Sequence, residues 1–128
     1  MNSIENIGLL FFDVNGLKKV NDLCGHIEGD KLIKRASKTL KSIFKNNKIF
    51  RCGGDEFVVI INDTNINDLD NYKEMTFELG IKNNVSFAIG YSIKESSKDI
   101  FIALKEADSN MYIDKRKYYE LIEDGYEE

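Results

Sequence analysis

Proline is absent from the 128-residue chain, cysteine occurs twice and histidine once. With no proline, no low-complexity stretch and no internal repeat, nothing marks a linker. One domain over residues 1–128 is expected, since domains typically run to roughly 100–200 residues. Cys24 and Cys52 are too few for a disulfide framework and lack metal-ligand spacing, so they read as reduced thiols. Positive charge is also scarce. Eighteen Lys and Arg face 22 Asp and Glu, and the net charge of −4 excludes the electrostatic footprint of a nucleic-acid or anionic-membrane binder, although Lys115 to Lys117 form a local basic cluster. No apolar run approaches the ~20 residues needed to span a bilayer. "IGLLFFDV" has neither the basic flank nor the cleavage site of a signal peptide. These absences predict a soluble cytoplasmic domain that makes no membrane contact.

What is present is 42% hydrophobic residues, enough to bury a core. "IGLLFFDV" (Ile7 to Val14) is an apolar run of strand length bounded by Asn-Gly, and reads as a buried strand. "NGLKKVNDLCG" reads as a short helix capped by Asn15 and ended by Gly25. In "EGDKLIKRASKTLKSIFKNN", Leu32, Ile33, Ala36, Leu40, Ile43 and Phe44 recur at helical spacing with lysines opposite. "KIFRC" and "FVVII" are strands on either side of "GGDE". "INDLDNYKEMTFELGIKNN" is a weaker helix that Gly80 and Asn83-Asn84 terminate, and "VSFAIGYSI" (Val85 to Ile93) is a strand. "KDIFIALKEADSNMYIDKRKYY" is the last helix, with Ile100, Phe101, Leu104, Ala107, Met111 and Tyr112 along one stripe. Residues 118–128 read as a tail.

The order βααββαβα, with an antiparallel hairpin in the middle, predicts an α+β fold: a ferredoxin-like, palm-type antiparallel sheet flanked by helices. In such a sheet the first strand lies beside the central hairpin. Asp13, which ends that strand, then meets Asp55 and Glu56 in the hairpin turn. Three converging carboxylates repel one another unless a cation sits among them. Oxygen-only ligands select a hard ion such as Mg²⁺ or Mn²⁺, completed by substrate phosphates. Gly53 and Gly54 would permit backbone conformations that a side chain forbids and let another molecule approach closely. A Gly-Gly turn beside an acid is also an ordinary hairpin turn. Asp13 favours the cation site, because an acid at the end of an apolar strand is costly without a partner.

Four segments in order resemble a single family. "GGDEF" at Gly53 to Phe57 is similar to the signature of the GGDEF family, the diguanylate cyclases. "FDVNGLKKVNDLCGHIEGD" resembles the family's other long motif, D-x-D/N-x-x-K-x-x-N-D-x-x-G-H-x-x-G-D, with every spacing intact. "SFAIGYS" and "ALKEADSNMYIDK" resemble its later strand and its A-D-x-x-M-Y-x-x-K helix. The likeness is strongest over residues 9–117.

The resemblance implies a role for particular residues. Asp13, Asp55, Glu56 and the backbone carbonyl of Val14 would bind two Mg²⁺ or Mn²⁺ ions, with Glu56 taking the second ion or helping to deprotonate the attacking hydroxyl. Lys18 and the backbone N–H groups of Gly16 and Leu17 would contact phosphate, as would Lys115 on the last helix. Asn21 and Asp30 would read guanine. Helix starts and glycine turns suit phosphate, and an Asp carboxylate accepts from guanine N1–H and the exocyclic amine as adenine does not allow. Each residue also has a plainer reading. Asn21 and Asp30 would serve as helix caps, Lys18 and Lys115 as solvated face residues, Met111 and Tyr112 as core. His26 receives no acid–base role.

The implied activity is diguanylate cyclisation. Two GTP give cyclic di-GMP and two pyrophosphates where two copies of the domain face each other, within a longer chain bearing sensory or regulatory domains. The alternative is a catalytically silent GTP-binding module of the same fold. The intact Asp55-Glu56 pair favours the cyclase, whereas a missing opening helix and an altered tail favour the alternative. The usual opening helix with D-x-L-T-x-L-x-N-R is missing. The segment after Lys115 reads "RKYYE" where G-R-N is common, leaving Arg116 and Lys117 in place of that arginine. Phe44 and Asn47 stand where the family's product-inhibition Arg and Asp would be, so a second product site is not expected.

Overall fold

The computed structural model describes residues 6–125, with side chains through Leu121. Residues 1–5 and 126–128, the ends of the expected domain, lie outside the described residues. The elements follow the expected order: β1 (Ile7–Val14), α1 (Leu17–Cys24), α2 (His26–Ile43), β2 (Lys48–Arg51), β3 (Glu56–Asn62), α3 (Ile66–Asn83), β4 (Phe87–Lys94) and α4 (Ile100–Gly125). The strands form one antiparallel sheet in the order β2-β3-β1-β4, so β1 lies beside the β2–β3 hairpin. This is the α+β, ferredoxin-like sheet flanked by helices that the element order predicts.

All eight residues of β1 are buried, because helices cover both faces of the strand. Alternation splits its side chains between two cores. Leu10, Phe12 and Val14 pack with Leu32, Ala36 and Leu40 of α2 and Leu69 of α3. Phe12 meets Phe44 and Phe87 edge-on at 5.8 and 5.9 Å. Burying a side chain of this size is worth roughly 1.5–3 kcal/mol. Leu9 and Phe11 point the other way, onto Ala103, Ala107 and Met111 of α4. The helix lies very close to the sheet here. A Cβ on Gly90 of β4 would collide with the Met111 amide nitrogen and the Ala107 carbonyl.

Several local expectations change. Asn15 does not cap α1. Gly16, at φ 82°, is the N-cap residue, and Asn15 Nδ2 instead donates to Ser86 Oγ at 2.9 Å. Gly25 ends α1 as expected, at φ 91°. Gly80 does not end α3, which closes at the left-handed Asn84, φ 58°. Gly80 serves packing, since a Cβ there would lie 2.5 Å from the Val85 carbonyl oxygen. On α4 the buried stripe is Ala103, Ala107 and Met111, whereas Phe101 and Tyr112 are exposed at 76% and 58%. α4 runs on to Gly125, so the segment from residue 118 that reads as a tail is helical as far as that residue.

Candidate functional site

Two periodicities meet at the end of β1. The α4-facing residues of β1 run Leu9, Phe11 and then Asp13. The sheet-facing residues of α4, Ala103, Ala107 and Met111, are four apart, and the next position in that series is Lys115. Lys115 Nζ accordingly lies 3.2 Å from Asp13 Oδ2. The antiparallel register sets Asp13 opposite Glu56, which opens β3 instead of sitting in the turn. Asp55 is drawn to β1 by the Val14 N–H, which donates to the Asp55 carbonyl at 2.8 Å. One carboxylate oxygen from each of Asp13, Asp55 and Glu56 lies within 4.8 Å of the other two.

Arg51 braces the glycine turn by donating to the carbonyls of Gly53 and Gly54. Neither glycine adopts the left-handed conformation. Space is the better reason at Gly54, where a Cβ would meet nothing within 4 Å and the backbone is open to approach.

Asp13 is 2% exposed. Burial, and then repulsion from Asp55, push its carboxyl up to about 6, with Lys115 opposing the shift. Burial alone would lower the Lys115 ammonium, but Asp13 and Asp55 outweigh it and hold it above its usual value. Asp13 Oδ1 is buried without a hydrogen-bond partner, a costly state for a carboxylate oxygen. Three carboxylates of oxygen-only chemistry, one with an orphaned buried oxygen, fit a hard divalent cation.

The other candidate residues are less closely gathered. Gly16 and Leu17 come one residue after β1, so the start of α1 adjoins the carboxylates. The Gly16 N–H donates to the Tyr119 hydroxyl at 3.4 Å. Lys18 is almost fully exposed and pairs with Asp22 at 3.2 Å. Asn21 lies against Gly29, where a Cβ would overlap its Oδ1, and Asp30 is exposed on the next residue. A cleft of about 360 Å³ beside Lys115 is lined by Tyr112, Arg116, Tyr119 and Glu120. Arg51, Gly29 and Tyr119 were not picked out from sequence. The first two lie within or beside the quoted motifs, and Tyr119 ends the quoted last helix but has its partner, the Gly16 N–H, 103 residues away. Phe44, at 1% exposure, belongs to the core and presents no ligand-binding surface. His26 is exposed at the start of α2, and Cys24 and Cys52 are free and exposed.

A palm-type sheet with converging carboxylates at one strand end is the class of protein that the geometry defines. The family model "Diguanylate cyclase, GGDEF domain" matches residues 2–120, and the chain belongs to the GGDEF family. Among solved structures it is similar to the GGDEF domain of DgcB from Caulobacter crescentus in complex with c-di-GMP. The TM-score is 0.79 at 21% identity, covering 88% of this chain and 74% of that one. The GGDEF domain of PA1120 (YfiN or TpbB) from Pseudomonas aeruginosa gives 0.79 at 26%, covering 88% and 78%. A curated relative, an uncharacterized membrane protein of Staphylococcus epidermidis, is 34% identical over 124 residues, covering 87% of this chain and 35% of that protein. One of Staphylococcus aureus strain USA300 is 32% identical over 126 residues, covering 88% and 35%. The chain thus spans about a third of the length of these curated relatives.

Those names correct the expectation of a soluble cytoplasmic protein, since the relatives are membrane proteins by name. Among the described residues no helix is long and apolar enough to cross a membrane. Composition of one domain carries no information about segments of a longer chain.

Proposed function

We propose that this domain is a diguanylate cyclase, condensing two GTP into cyclic di-GMP with release of two pyrophosphates. The observation that carries the reading is the convergence of Asp13, Asp55 and Glu56 at the end of β1, directly before the glycine-led start of α1. Asp13, Asp55, Glu56 and the Val14 carbonyl would hold Mg²⁺ or Mn²⁺. Bound there, the ions would supply charge neutralisation on the phosphates and a clamp on the attacking and leaving oxygens. The Gly16 and Leu17 N–H groups and Lys18 bind phosphate at the start of α1. Asn21 and Asp30 read guanine across the α1–α2 junction, and Lys115 reaches the triphosphate from α4. Each domain presents one GTP, so a second copy must face it: each 3′-hydroxyl gives its proton to Glu56 as its oxygen attacks the partner nucleotide's α-phosphorus, and the bond to the departing pyrophosphate breaks. The named relatives, about three times as long, support a larger membrane-associated parent chain that brings two domains together.

The second reading, a silent GTP-binding module, rests on the altered segment after Lys115, whose Tyr119 hydroxyl accepts from the Gly16 N–H beside the carboxylates. Incubation with GTP and Mn²⁺, with chromatography for cyclic di-GMP and pyrophosphate, separates the two readings. The cyclase yields both products in a 1:2 ratio and the Asp55→Ala protein yields neither. GTP bound but unchanged would establish the module instead.

A further inference from the structure

Asp13 divides its two oxygens between different tasks. Oδ2 is held by Lys115 at 3.2 Å, whereas Oδ1 has no partner and is buried. We infer that Lys115 is a resident counter-cation occupying a second ion's place on Asp13. The free protein would then take one divalent ion, and the second would enter only with a triphosphate that draws Lys115 away. This rests on the cation reading of the carboxylate cluster and adds an order of assembly to it.

Charge supplies the first argument. Three carboxylates and one ammonium leave a net charge of −2, which one divalent ion cancels. A second ion without nucleotide would leave a large uncompensated positive charge around a side chain that is 2% exposed, and such an imbalance is expensive away from water. A triphosphate brings the anionic oxygens that a second ion requires, and those same oxygens compete with Asp13 for the ammonium.

Reach supplies the second. The backbone of Lys115 is fixed in α4, but its side chain is 32% exposed and borders the cleft shared with Arg116 and Tyr119. A lysine is a point charge on a flexible stem. Nζ can therefore move from Asp13 to an anion in that cleft by rotating its own side chain, without moving the helix.

The test is the stoichiometry of Mn²⁺ binding, read by electron paramagnetic resonance of free Mn²⁺ at pH 8 with no nucleotide present. The wild type should bind one ion at the cluster. Lys115→Met should bind two, the second at least about tenfold more tightly than in the wild type. Lys115→Arg, which keeps the charge, should again bind one, and thermal melting establishes that each variant is folded. Two ions on the wild type, or equal counts in wild type and Lys115→Met, would overturn the role given to Lys115 and leave the cation site standing. No Mn²⁺ on any of the three proteins would overturn the cation site itself, and this inference with it. The wild-type count needs no variant, so failure of Lys115→Met to fold leaves the test in force.

Discussion

Asp13 and Glu56 are directly opposed across the β1–β3 ladder, on the face of the sheet that α4 covers. Like charges in that relation destabilise a sheet, and here Asp55 adds a third. The cluster holds repulsion in the free protein that a bound cation would relieve.

The first prediction follows from the sign of the Asp13 shift. Its carboxyl titrates near 6 in the fold against an ordinary 3.8. The folded state therefore holds a proton that the unfolded chain has already lost between those values. The contribution is favourable below about pH 4 and is lost as pH rises to about 6. Asp13→Asn removes the titration. In chelator, the variant should match the wild type near pH 4 and exceed its stability at pH 8 by up to about 3 kcal/mol. Denaturant melts at both values check this, and a variant less stable at pH 8 would contradict it.

The second prediction concerns Gly90. A side chain there would force α4 off the sheet, since both the Met111 nitrogen and the Ala107 oxygen stand in its way. Gly90→Ala should cost about 2–3 kcal/mol, at the upper end of overpacking effects, and should separate Lys115 from Asp13. A melting curve unchanged from the wild type would show that α4 packs less closely than described.

That contact also explains what the sequence conceals. The element order was legible because each run keeps its own period, and Asp13, Asp55 and Glu56 could be brought together from strand order alone. The buried stripe of α4 was not. Phe101 and Tyr112 outweigh Ala103 in any hydrophobic pattern, yet close approach over Gly90 selects alanine. Asn15 was equally hidden, since the group that draws it from capping, Ser86, lies 71 residues away. A local pattern cannot see such a partner.

Base preference can be tested without touching Asn21 or Asp30, the residues proposed to read guanine. In Gly29→Ala the new methyl would displace the Asn21 side chain. Asn21 is only half-buried, so its side chain has room to turn aside and stability should fall by about 1 kcal/mol or less. GTP affinity should drop at least about tenfold, and the advantage over ATP should shrink, because a hydrogen-bonding site discriminates only while its groups are in place. Calorimetry with both nucleotides reads this. Unchanged GTP affinity would remove Asn21 from the guanine site.

Phe44 leads to a prediction about regulation. It is buried against Phe12 and Tyr72, so the position of the family's inhibitory arginine belongs to the core. Lys45 and Lys48 lie nearby in sequence, but an ammonium lacks the planar fork that meets phosphate or guanine bidentately. Cyclic di-GMP should inhibit turnover only by competing with GTP. Noncompetitive inhibition, with binding that survives Asp55→Ala, would contradict this.

The central claim is that the end of β1, the glycine turn and the start of α1 form one cation-dependent GTP site. It is tested most directly by calorimetric titration with a GTP analogue bridged by methylene between its α- and β-phosphates. Binding should be strong with Mn²⁺, at least about tenfold weaker in chelator, and lost in Asp55→Ala although that variant melts no lower than the wild type. Equal affinity with and without Mn²⁺, or retained binding in Asp55→Ala, would contradict the account.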